Sequence, residues 1–206
     1  LNDGNGTFSK SIGFGSKKDS TIDVEVADMN GDSHNDLILA NRDDQQNYVY
    51  LNDGNLNFPR KVPYGTGTDI TRSVAIADVN NDGNKDIITA NIGESNVIYF
   101  GSDNGTYENK TVFDSSSDLT YSIDIGDLDS DGDIDIVLGN VRGENNVFVN
   151  NKNGREWKKI SLSDKKFNTY DIIIIDLNGD GKLDILESNS DEQNIYYFNR
   201  FKPKFP

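Results

Sequence analysis

Short apolar runs separated by polar turns dominate this sequence. An alternating run such as residues 74–76 precedes an acidic segment, and a compact apolar run such as residues 136–138 follows one. Two further runs, such as residues 48–51 and 58–64, complete the unit, and turns rich in Asn, Asp and Gly separate them. Such runs, rich in β-branched and aromatic side chains, predict strands, and no segment shows a sustained helical period. The pattern therefore predicts an all-β protein built from four-stranded units.

The four-strand unit occurs four times, and each copy contains an acidic segment close to D-x-[DN]-x-[DN]-G-x-x-D. The first aspartates of these segments lie 50, 49 and 49 residues apart. The register extends further, because a Thr precedes each first Asp by seven residues and an Asn follows each last Asp by five. These residues are Thr21, Thr71, Thr120 and Thr169, with Asn41, Asn91, Asn140 and Asn189.

Four strands in every 40 to 50 residues are typical of a β-propeller blade, so we predict an all-β β-propeller of antiparallel four-stranded blades. It forms a single domain over residues 1–206, with repeats at about 15–64, 65–113, 114–162 and 163–206. Residues 1–14 would form the outer strand of a preceding or closing blade. Two arrangements stay open: a four-bladed ring closed by pairing with residues 195–198, or part of a larger propeller, including half of a two-chain ring. Because the chain begins within a repeat, we expect it to be a processed or excised piece.

The acidic segments place side-chain oxygens at positions 1, 3, 5 and 9 of a tight loop, and position 7 can turn its backbone carbonyl inward. Oxygen ligands that include three or four carboxylates favour a hard cation, and Ca²⁺ accepts six to eight of them in irregular geometry. An EF-hand would need flanking helices, whereas strands are predicted here. The predicted ligands of about four Ca²⁺ ions are Asp28, Asn30, Asp32, His34 and Asp36; Asp78, Asn80, Asp82, Asn84 and Asp86; Asp127, Asp129, Asp131, Asp133 and Asp135; and Asp176, Asn178, Asp180, Lys182 and Asp184.

The charge balance supports cation binding. The chain has 35 acidic and 20 basic residues and a net charge of −15, which four Ca²⁺ ions would bring to −7. Two carboxylates about 4 Å apart repel by about 4 kcal/mol at an effective dielectric constant near 20, so a folded loop needs a cation.

The excess of acidic residues argues against nucleic acid as a partner, and no apolar run is long enough for membrane insertion. Cys is absent and His34 is the single His, which excludes thiol chemistry and most imidazole chemistry.

The repeats resemble the FG-GAP/VCBS repeat family, which also occurs in the integrin α-subunit head. The resemblance rests on segments such as residues 78–88 (DVNNDGNKDII) and 176–186 (DLNGDGKLDIL) and covers nearly the whole chain. It implies a propeller whose hairpins between first and second strands carry Ca²⁺ on one face, with the ligand or partner on the opposite face. It also implies work in adhesion or glycan recognition. Because such loops in extracellular modules bind Ca²⁺ at about 10⁻⁴–10⁻³ M, we expect a secreted, extracellular or cell-surface protein.

Arg72, Tyr121 and Tyr170 occupy matching positions in three repeats and are candidate ligand-binding residues on the face away from the acidic loops. Arg and Tyr are common recognition residues, although these three could instead fill the central channel. The first hypothesis is a calcium-stabilised module that recognises a glycan or an extracellular protein. The alternatives are a structural subunit of a surface assembly or filament, whose partner is another copy, and a polysaccharide lyase-like enzyme. Nothing places an acid and a base together, so we predict no catalytic residue and no enzymatic activity.

Overall fold

The computed structural model describes residues 4–7, 11–151 and 153–201 of the chain. All regular elements in these residues are strands, which confirms the predicted all-β class. The described residues contain no helix that is long and apolar enough to cross a membrane. The strands are β1 (Thr21–Ala27), β2 (Asp36–Asn41), β3 (Asn47–Leu51), β4 (Arg60–Tyr64), β5 (Thr71–Ala77), β6 (Asp86–Asn91), β7 (Asn96–Tyr99), β8 (Lys110–Asp114), β9 (Leu119–Gly126), β10 (Asp135–Gly143), β11 (Asn146–Asn150), β12 (Trp157–Ser161), β13 (Phe167–Ile175), β14 (Asp184–Asn189) and β15 (Ile195–Tyr197).

Consecutive strands pair in antiparallel order within each repeat. Repeat 1 contains β1 to β4, repeat 2 contains β5 to β8, and repeat 3 contains β9 to β12. Repeat 4 contains β13 to β15, so it has three strands within the described part of the chain. The end of β10 also pairs with the start of β13, through Val141 with Asn168 and Gly143 with Phe167, which joins repeats 3 and 4 into one sheet.

The core lies between successive repeats. The first strands are neighbours in the order β1, β5, β9 and β13. Between repeats 1 and 2, Ile38 and Val49 pack in one apolar cluster with Val74 and Tyr99, and similar clusters lie at the next two junctions. Sheets that stack face to face around their first strands are the arrangement of a β-propeller.

The in-register Thr residues also connect the repeats through buried polar contacts. At each of three junctions an Asn Nδ2 donates to the Thr Oγ1 of the following repeat. The pairs are Asn47 with Thr71 at 2.8 Å, Asn96 with Thr120 at 3.1 Å, and Asn145 with Thr169 at 2.7 Å. The Oδ1 atom of each of these Asn residues accepts the backbone N–H of the Asn that lies at the fifth position after the acidic loop. A buried polar network with partners on both sides favours one packing register, so these contacts fix how each repeat docks on the next.

Glu187 places a carboxyl group in the interface between repeats 3 and 4. Its side chain is 2% exposed, and the Tyr197 hydroxyl donates to Oε2 at 3.3 Å. Burial raises the pKa of Glu187 above its ordinary value of 4.5. The folded protein therefore holds this proton more tightly than the unfolded chain does, and the carboxyl destabilises the fold as the pH rises above that value.

We expect Glu187→Gln to stabilise the protein near pH 8 by about 1 kcal/mol, the scale of one buried hydrogen-bonding group, because the variant removes the buried charge. Near pH 4 both the folded and unfolded states of the natural protein bind the proton, so the gain should disappear. Urea unfolding at the two pH values measures the difference. Glu108→Gln, at an exposed residue, is the matched control. An equal gain at both pH values would contradict the titration argument.

Candidate metal centres and the opposite face

The four acidic segments form the hairpin loops between the first and second strands of the repeats. They cover residues 28–36, 78–86, 127–135 and 176–184, and we call them loops 1 to 4. In each loop the aspartate at position 9 is the first residue of the second strand. The loops therefore lie at the same end of their sheets, as the repeat pattern predicted.

The aspartate at position 1 folds each loop back on itself. In loop 2 the Asp78 carboxylate accepts the N–H groups of Asp82 at 3.1 Å and Gly83 at 2.8 Å. The Asn80 Oδ1 atom accepts the Asp82 N–H at 3.0 Å, and Asp82 in turn accepts the Asn84 N–H at 2.8 Å. The other loops repeat this arrangement, because each position 1 carboxylate accepts the N–H groups of positions 5 and 6 of its own loop. These carboxylates belong to Asp28, Asp127 and Asp176. In loop 2 the oxygens of positions 1 and 3 therefore meet at the N–H of position 5, and loops 1 and 4 have the same arrangement.

Two residues in each loop have a left-handed backbone. Position 6 was predicted to bend sharply, and Gly132 has a φ of 91°, while Ser33 takes the same region at 67° in loop 1. Position 4 was not predicted to do so, yet Ser130 has a φ of 61° and Asn81 a φ of 58°. The small or amide residues that occupy position 4 were the available signal, since they tolerate this conformation best.

We expect Gly132→Ala to destabilise the protein by about 1–2 kcal/mol, the cost of a left-handed backbone for a residue with a Cβ atom. An added Cβ at Gly132 meets no atom within 4 Å, so the loss comes from the backbone alone. Denaturant unfolding measures it. Gly13→Ala is the control, because Gly13 also has open space around its Cβ position but no positive φ. Equal losses in the two variants would contradict the backbone argument.

The aspartate at position 9 anchors the loop to the rest of its repeat. Asp86 is fully buried, and its carboxylate accepts the N–H of Val79 at 2.9 Å and that of Gly101 at 2.9 Å. Burial raises the pKa of Asp86 and of Asp135 to about 6. The same pair of backbone contacts occurs at the equivalent residues Asp36, Asp135 and Asp184. Position 9 therefore holds the loop against the turn after the third strand, a role that the spacing did not predict.

Loop 3 has the most acidic centre. One carboxylate oxygen from each of Asp127, Asp129 and Asp135 lies within 4.8 Å of the others. Loop 3 has Asp129 at position 3, whereas the other loops have Asn there, and in those loops the Asn Nδ2 donates to the position 5 carboxylate at 2.9–3.2 Å. Three carboxylate oxygens converging at this distance suit a hard cation such as Ca²⁺.

The side chains at position 7 have other partners. The His34 Nδ1 atom lies 3.2 Å from Asp32, and Asn84 Nδ2 donates to Asp103 at 3.2 Å. The Asp133 carboxylate accepts from Asn81 of the neighbouring loop at 2.8 Å, and Lys182 Nζ donates to the Phe201 carbonyl at 3.1 Å. These contacts agree with the prediction that position 7 offers its backbone carbonyl to a cation, and the coordination itself stays a prediction.

The end of the sheets opposite the loops carries the three candidate recognition residues. Arg72, Tyr121 and Tyr170 lie near the starts of β5, β9 and β13. The Arg72 guanidinium is 5.3 Å from the centre of the Tyr121 ring, and the rings of Tyr121 and Tyr170 are 5.1 Å apart in an edge-to-face arrangement. Tyr170 is 47% exposed. The structure thus brings these residues together, and they form one partly exposed cationic and aromatic cluster.

Structural comparison supports a propeller-like fold. The chain is similar to BBS1N in complex with ARL6DN, in a lead-soaked crystal (TM-score 0.60, 13% identity, 90% of this chain and 58% of that one) and a mercury-soaked crystal (TM-score 0.62, 15% identity, 88% and 55%). It spans a little over half the length of BBS1N. The V. cholerae biofilm matrix protein Bap1 also aligns, with a TM-score of 0.46, 15% identity, and coverage of 87% of this chain and 31% of that one.

Comparison of the sequence with curated proteins gives no match. The FG-GAP-like repeat model, in contrast, matches residues 28–89, 78–138 and 127–187. These matches include all four acidic loops and the strands between them, so they confirm the resemblance read from the repeats. The chain belongs to the FG-GAP-like repeat family.

Proposed function

We propose that this protein is an extracellular calcium-binding β-propeller module for adhesion or recognition of a glycan or protein. The observation that carries the proposal is the cluster in loop 3, where one carboxylate oxygen from each of Asp127, Asp129 and Asp135, at positions 1, 3 and 9, lies within 4.8 Å of the others. The other loops repeat the fold of loop 3, because each position 1 carboxylate accepts the N–H groups of positions 5 and 6. In each loop the position 7 carbonyl would complete the set of ligands.

Calcium would act mainly as a structural element in this protein. Each ion would neutralise one loop and tie the end of a first strand to the start of the second. The oxygen-only ligand set is of the kind that binds Ca²⁺ at about 10⁻⁴–10⁻³ M in extracellular modules. Cytosolic calcium would leave such sites empty, which supports an extracellular or cell-surface location.

The cluster of Arg72, Tyr121 and Tyr170 supports recognition on the opposite face. Arg and Tyr supply much of the binding energy in protein interfaces, and aromatic rings offer flat surfaces for ligands. The complex of BBS1N with ARL6DN, formed by a protein of similar fold, supports a protein as one kind of partner.

Isothermal titration of the chelator-treated protein with CaCl₂ tests the calcium part of the proposal. We expect about four ions to bind per chain with dissociation constants near 10⁻⁴–10⁻³ M. The Asp131→Asn variant should lose one of them, because it removes the position 5 carboxylate of loop 3. No heat of binding above that of buffer would contradict the assignment.

A glycan array and a panel of extracellular proteins, probed in calcium, test the recognition part. We expect a ligand whose binding falls at least about tenfold in Tyr170→Ala and Arg72→Ala, as for anchor residues in other interfaces. Arg60→Ala, an exposed residue on β4, is the control and should bind normally. Equal binding by all three variants would exclude this cluster as the recognition site.

A further inference from the structure

One side chain near the end of the third strand connects neighbouring repeats at the loop end of the sheets. In repeat 3 this residue is Asn150, whose Nδ2 donates to the Val79 carbonyl of loop 2 at 2.9 Å and to the Ile134 carbonyl of loop 3 at 3.3 Å. In repeat 4 it is Asn199, which makes the equivalent pair of bonds at 2.7 and 2.9 Å. A single carboxamide thus ties position 2 of one loop to position 8 of the next.

Repeat 2 has Gly101 at this place and therefore no carboxamide. The Gly101 N–H bonds the position 9 carboxylate of its own loop at 2.9 Å, as the Asn150 N–H does, so the two residues are equivalent. The two carbonyls that a carboxamide would join here belong to Met29 of loop 1 and Lys85 of loop 2. Among the residues that the structure describes, no group donates a hydrogen bond to either carbonyl oxygen.

A cleft of about 490 Å³ lies at this junction, and Met29 and Lys85 both line it. At the junction of repeats 2 and 3 the turn after the third strand packs into the matching space, where a Cβ atom added at Gly154 would lie 3.2 Å from Val79. The equivalent Gly105 borders the cleft, and a Cβ atom added there would meet no atom within 4 Å. The lining residues all belong to repeats 1 and 2, so the cleft lies inside the array.

Tyr107 contributes a hydroxyl group to the same cleft. Its ring is buried 6.5 Å from the ring of Tyr64, and within the described part of the chain its hydroxyl makes no hydrogen bond. Burial raises the pKa of Tyr107, and the carboxylates of Asp36 and Asp86 raise it further, which agrees with a hydroxyl near the bases of loops 1 and 2. The cleft therefore offers two carbonyl acceptors and one hydroxyl donor.

We propose that this cleft binds the side-chain carboxamide of an Asn or Gln on an exposed turn of a partner protein. The amide nitrogen donates to the Met29 and Lys85 carbonyls, as Asn150 Nδ2 donates to its two acceptors. The Tyr107 hydroxyl donates to the amide oxygen, whose counterpart in Asn150 accepts the Gly154 N–H at 2.8 Å. The partner thus supplies the group that repeat 2 lacks.

The chemistry of the cleft selects a carboxamide among protein side chains. A carboxylate has no hydrogen to donate to the two carbonyls, and an apolar side chain would leave them without partners. The rim carries charges of both signs, with Lys85 and Asp103 among its residues, and a polar rim of this kind is typical of protein interfaces. The cleft lies at the end of the sheets opposite the cluster of Arg72, so neither proposal depends on the other.

NMR titration with a small amide probe tests the site. The ¹⁵N-labelled protein in CaCl₂ receives N-acetyl-L-asparagine methylamide or its leucine analogue, which has the same shape but no carboxamide. We expect the Asn probe to shift the resonances of residues 29–31 and 101–105, with a dissociation constant of about 1–10 mM for a ligand of this size. Residues 153–154, where Asn150 already fills the matching place, should not shift. No shift with the Asn probe, equal shifts with the leucine analogue, or shifts with maltose alone would overturn the proposal.

Two tyrosines of one apolar cluster separate the role of the hydroxyl from that of packing. Tyr107→Phe should weaken binding of the Asn probe about three- to tenfold, the loss of one hydrogen bond. Tyr99→Phe, in the same cluster but not in the lining of the cleft, should bind normally. Equal affinity of the two variants would overturn the proposed geometry.

Gly101→Asn should abolish binding, because its own carboxamide takes the place of the probe. An added Cβ atom at Gly101 crowds the Lys85 carbonyl, so the turn has to shift in this variant. If Gly101→Asn does not fold, the two tyrosine variants and the map of shifted resonances decide. A folded Gly101→Asn variant that binds the probe as the natural protein does would overturn the proposal.

Selection from a library of randomised loops on a stable scaffold tests the partner. The natural protein is the target, and Gly101→Asn, or Tyr107→Phe if that variant does not fold, is the counter-target. We expect the enriched loops to contain an Asn or Gln whose replacement by Asp or Glu lowers the affinity at least about tenfold. Loops that bind equally well after this replacement, or the absence of any enriched loop, would overturn the proposal.

Discussion

Calcium is expected to raise the free energy of unfolding by about 5–6 kcal/mol when its concentration is ten times the dissociation constant. Each ion then adds about 1.4 kcal/mol, because it binds the folded loop and not the unfolded chain, and the four loops contribute together. For a chain of about 200 residues, each kcal/mol shifts the melting temperature by about 2–4 °C, so the total shift is about 10–24 °C. Calorimetry in chelator and in CaCl₂ measures it directly.

Position 5 variants divide this effect among the loops. Each of Asp32→Asn, Asp82→Asn, Asp131→Asn and Asp180→Asn should remove about a quarter of the calcium-dependent shift. MgCl₂ at the same concentration should give a smaller shift, because Mg²⁺ requires octahedral geometry and retains several waters. Identical melting in chelator and in calcium would contradict the proposed role of the ion.

Asp86→Ala is expected to destabilise the protein by about 3–5 kcal/mol even in the presence of chelator. The substitution leaves the N–H groups of Val79 and Gly101 without their carboxylate acceptor in a buried site, and each such group costs about 1–3 kcal/mol. Asp82→Ala, in the same loop but exposed, should lose mainly the calcium-dependent part of the stability. Urea unfolding of both variants with and without calcium separates the two roles.

The expected pattern for this pair is specific. Asp86→Ala should be destabilised by similar amounts with and without calcium, once the contribution of the ion lost from loop 2 is subtracted. In chelator, Asp82→Ala should be about as stable as the natural protein. If Asp86→Ala were no less stable than Asp82→Ala in chelator, the buried contacts of position 9 would not be the anchor that the geometry indicates.

The repeat period predicted most of the fold because several independent features of the sequence recur with it. Strand runs, turn residues and the acidic loops recur in one register, so each repeat reports the same arrangement. The same logic placed Arg72, Tyr121 and Tyr170 together: equivalent residues on neighbouring first strands must lie side by side. The distances of 5.3 and 5.1 Å between them follow from that register.

Features that depend on contacts between repeats could not be predicted from the spacing. The Thr and Asn residues were visible as a pattern, but only the packed structure joins Asn47 to Thr71 of the next repeat. The aspartate at position 9 was predicted as a metal ligand from its residue type. Its buried contacts with two backbone N–H groups could not be predicted, because one of those groups belongs to the segment after the third strand. The pairing of β10 with β13 likewise depends on how far β10 continues, since its last residue, Gly143, pairs with Phe167.

The outer strand predicted within residues 1–14 stays a prediction. Residues 8–10 lie outside the described part of the chain, and residues 11–14 form no regular strand. Whether a segment pairs with β15 depends on which repeat faces it, and the local sequence carries no information on that choice.

A crystal structure of the protein grown in ample calcium tests the central claim most directly. The account predicts one ion in each of the four loops, bound by side-chain oxygens of positions 1, 3, 5 and 9 and by the carbonyl of position 7, at about 2.3–2.6 Å. Well-ordered loops without ions under those conditions would contradict it.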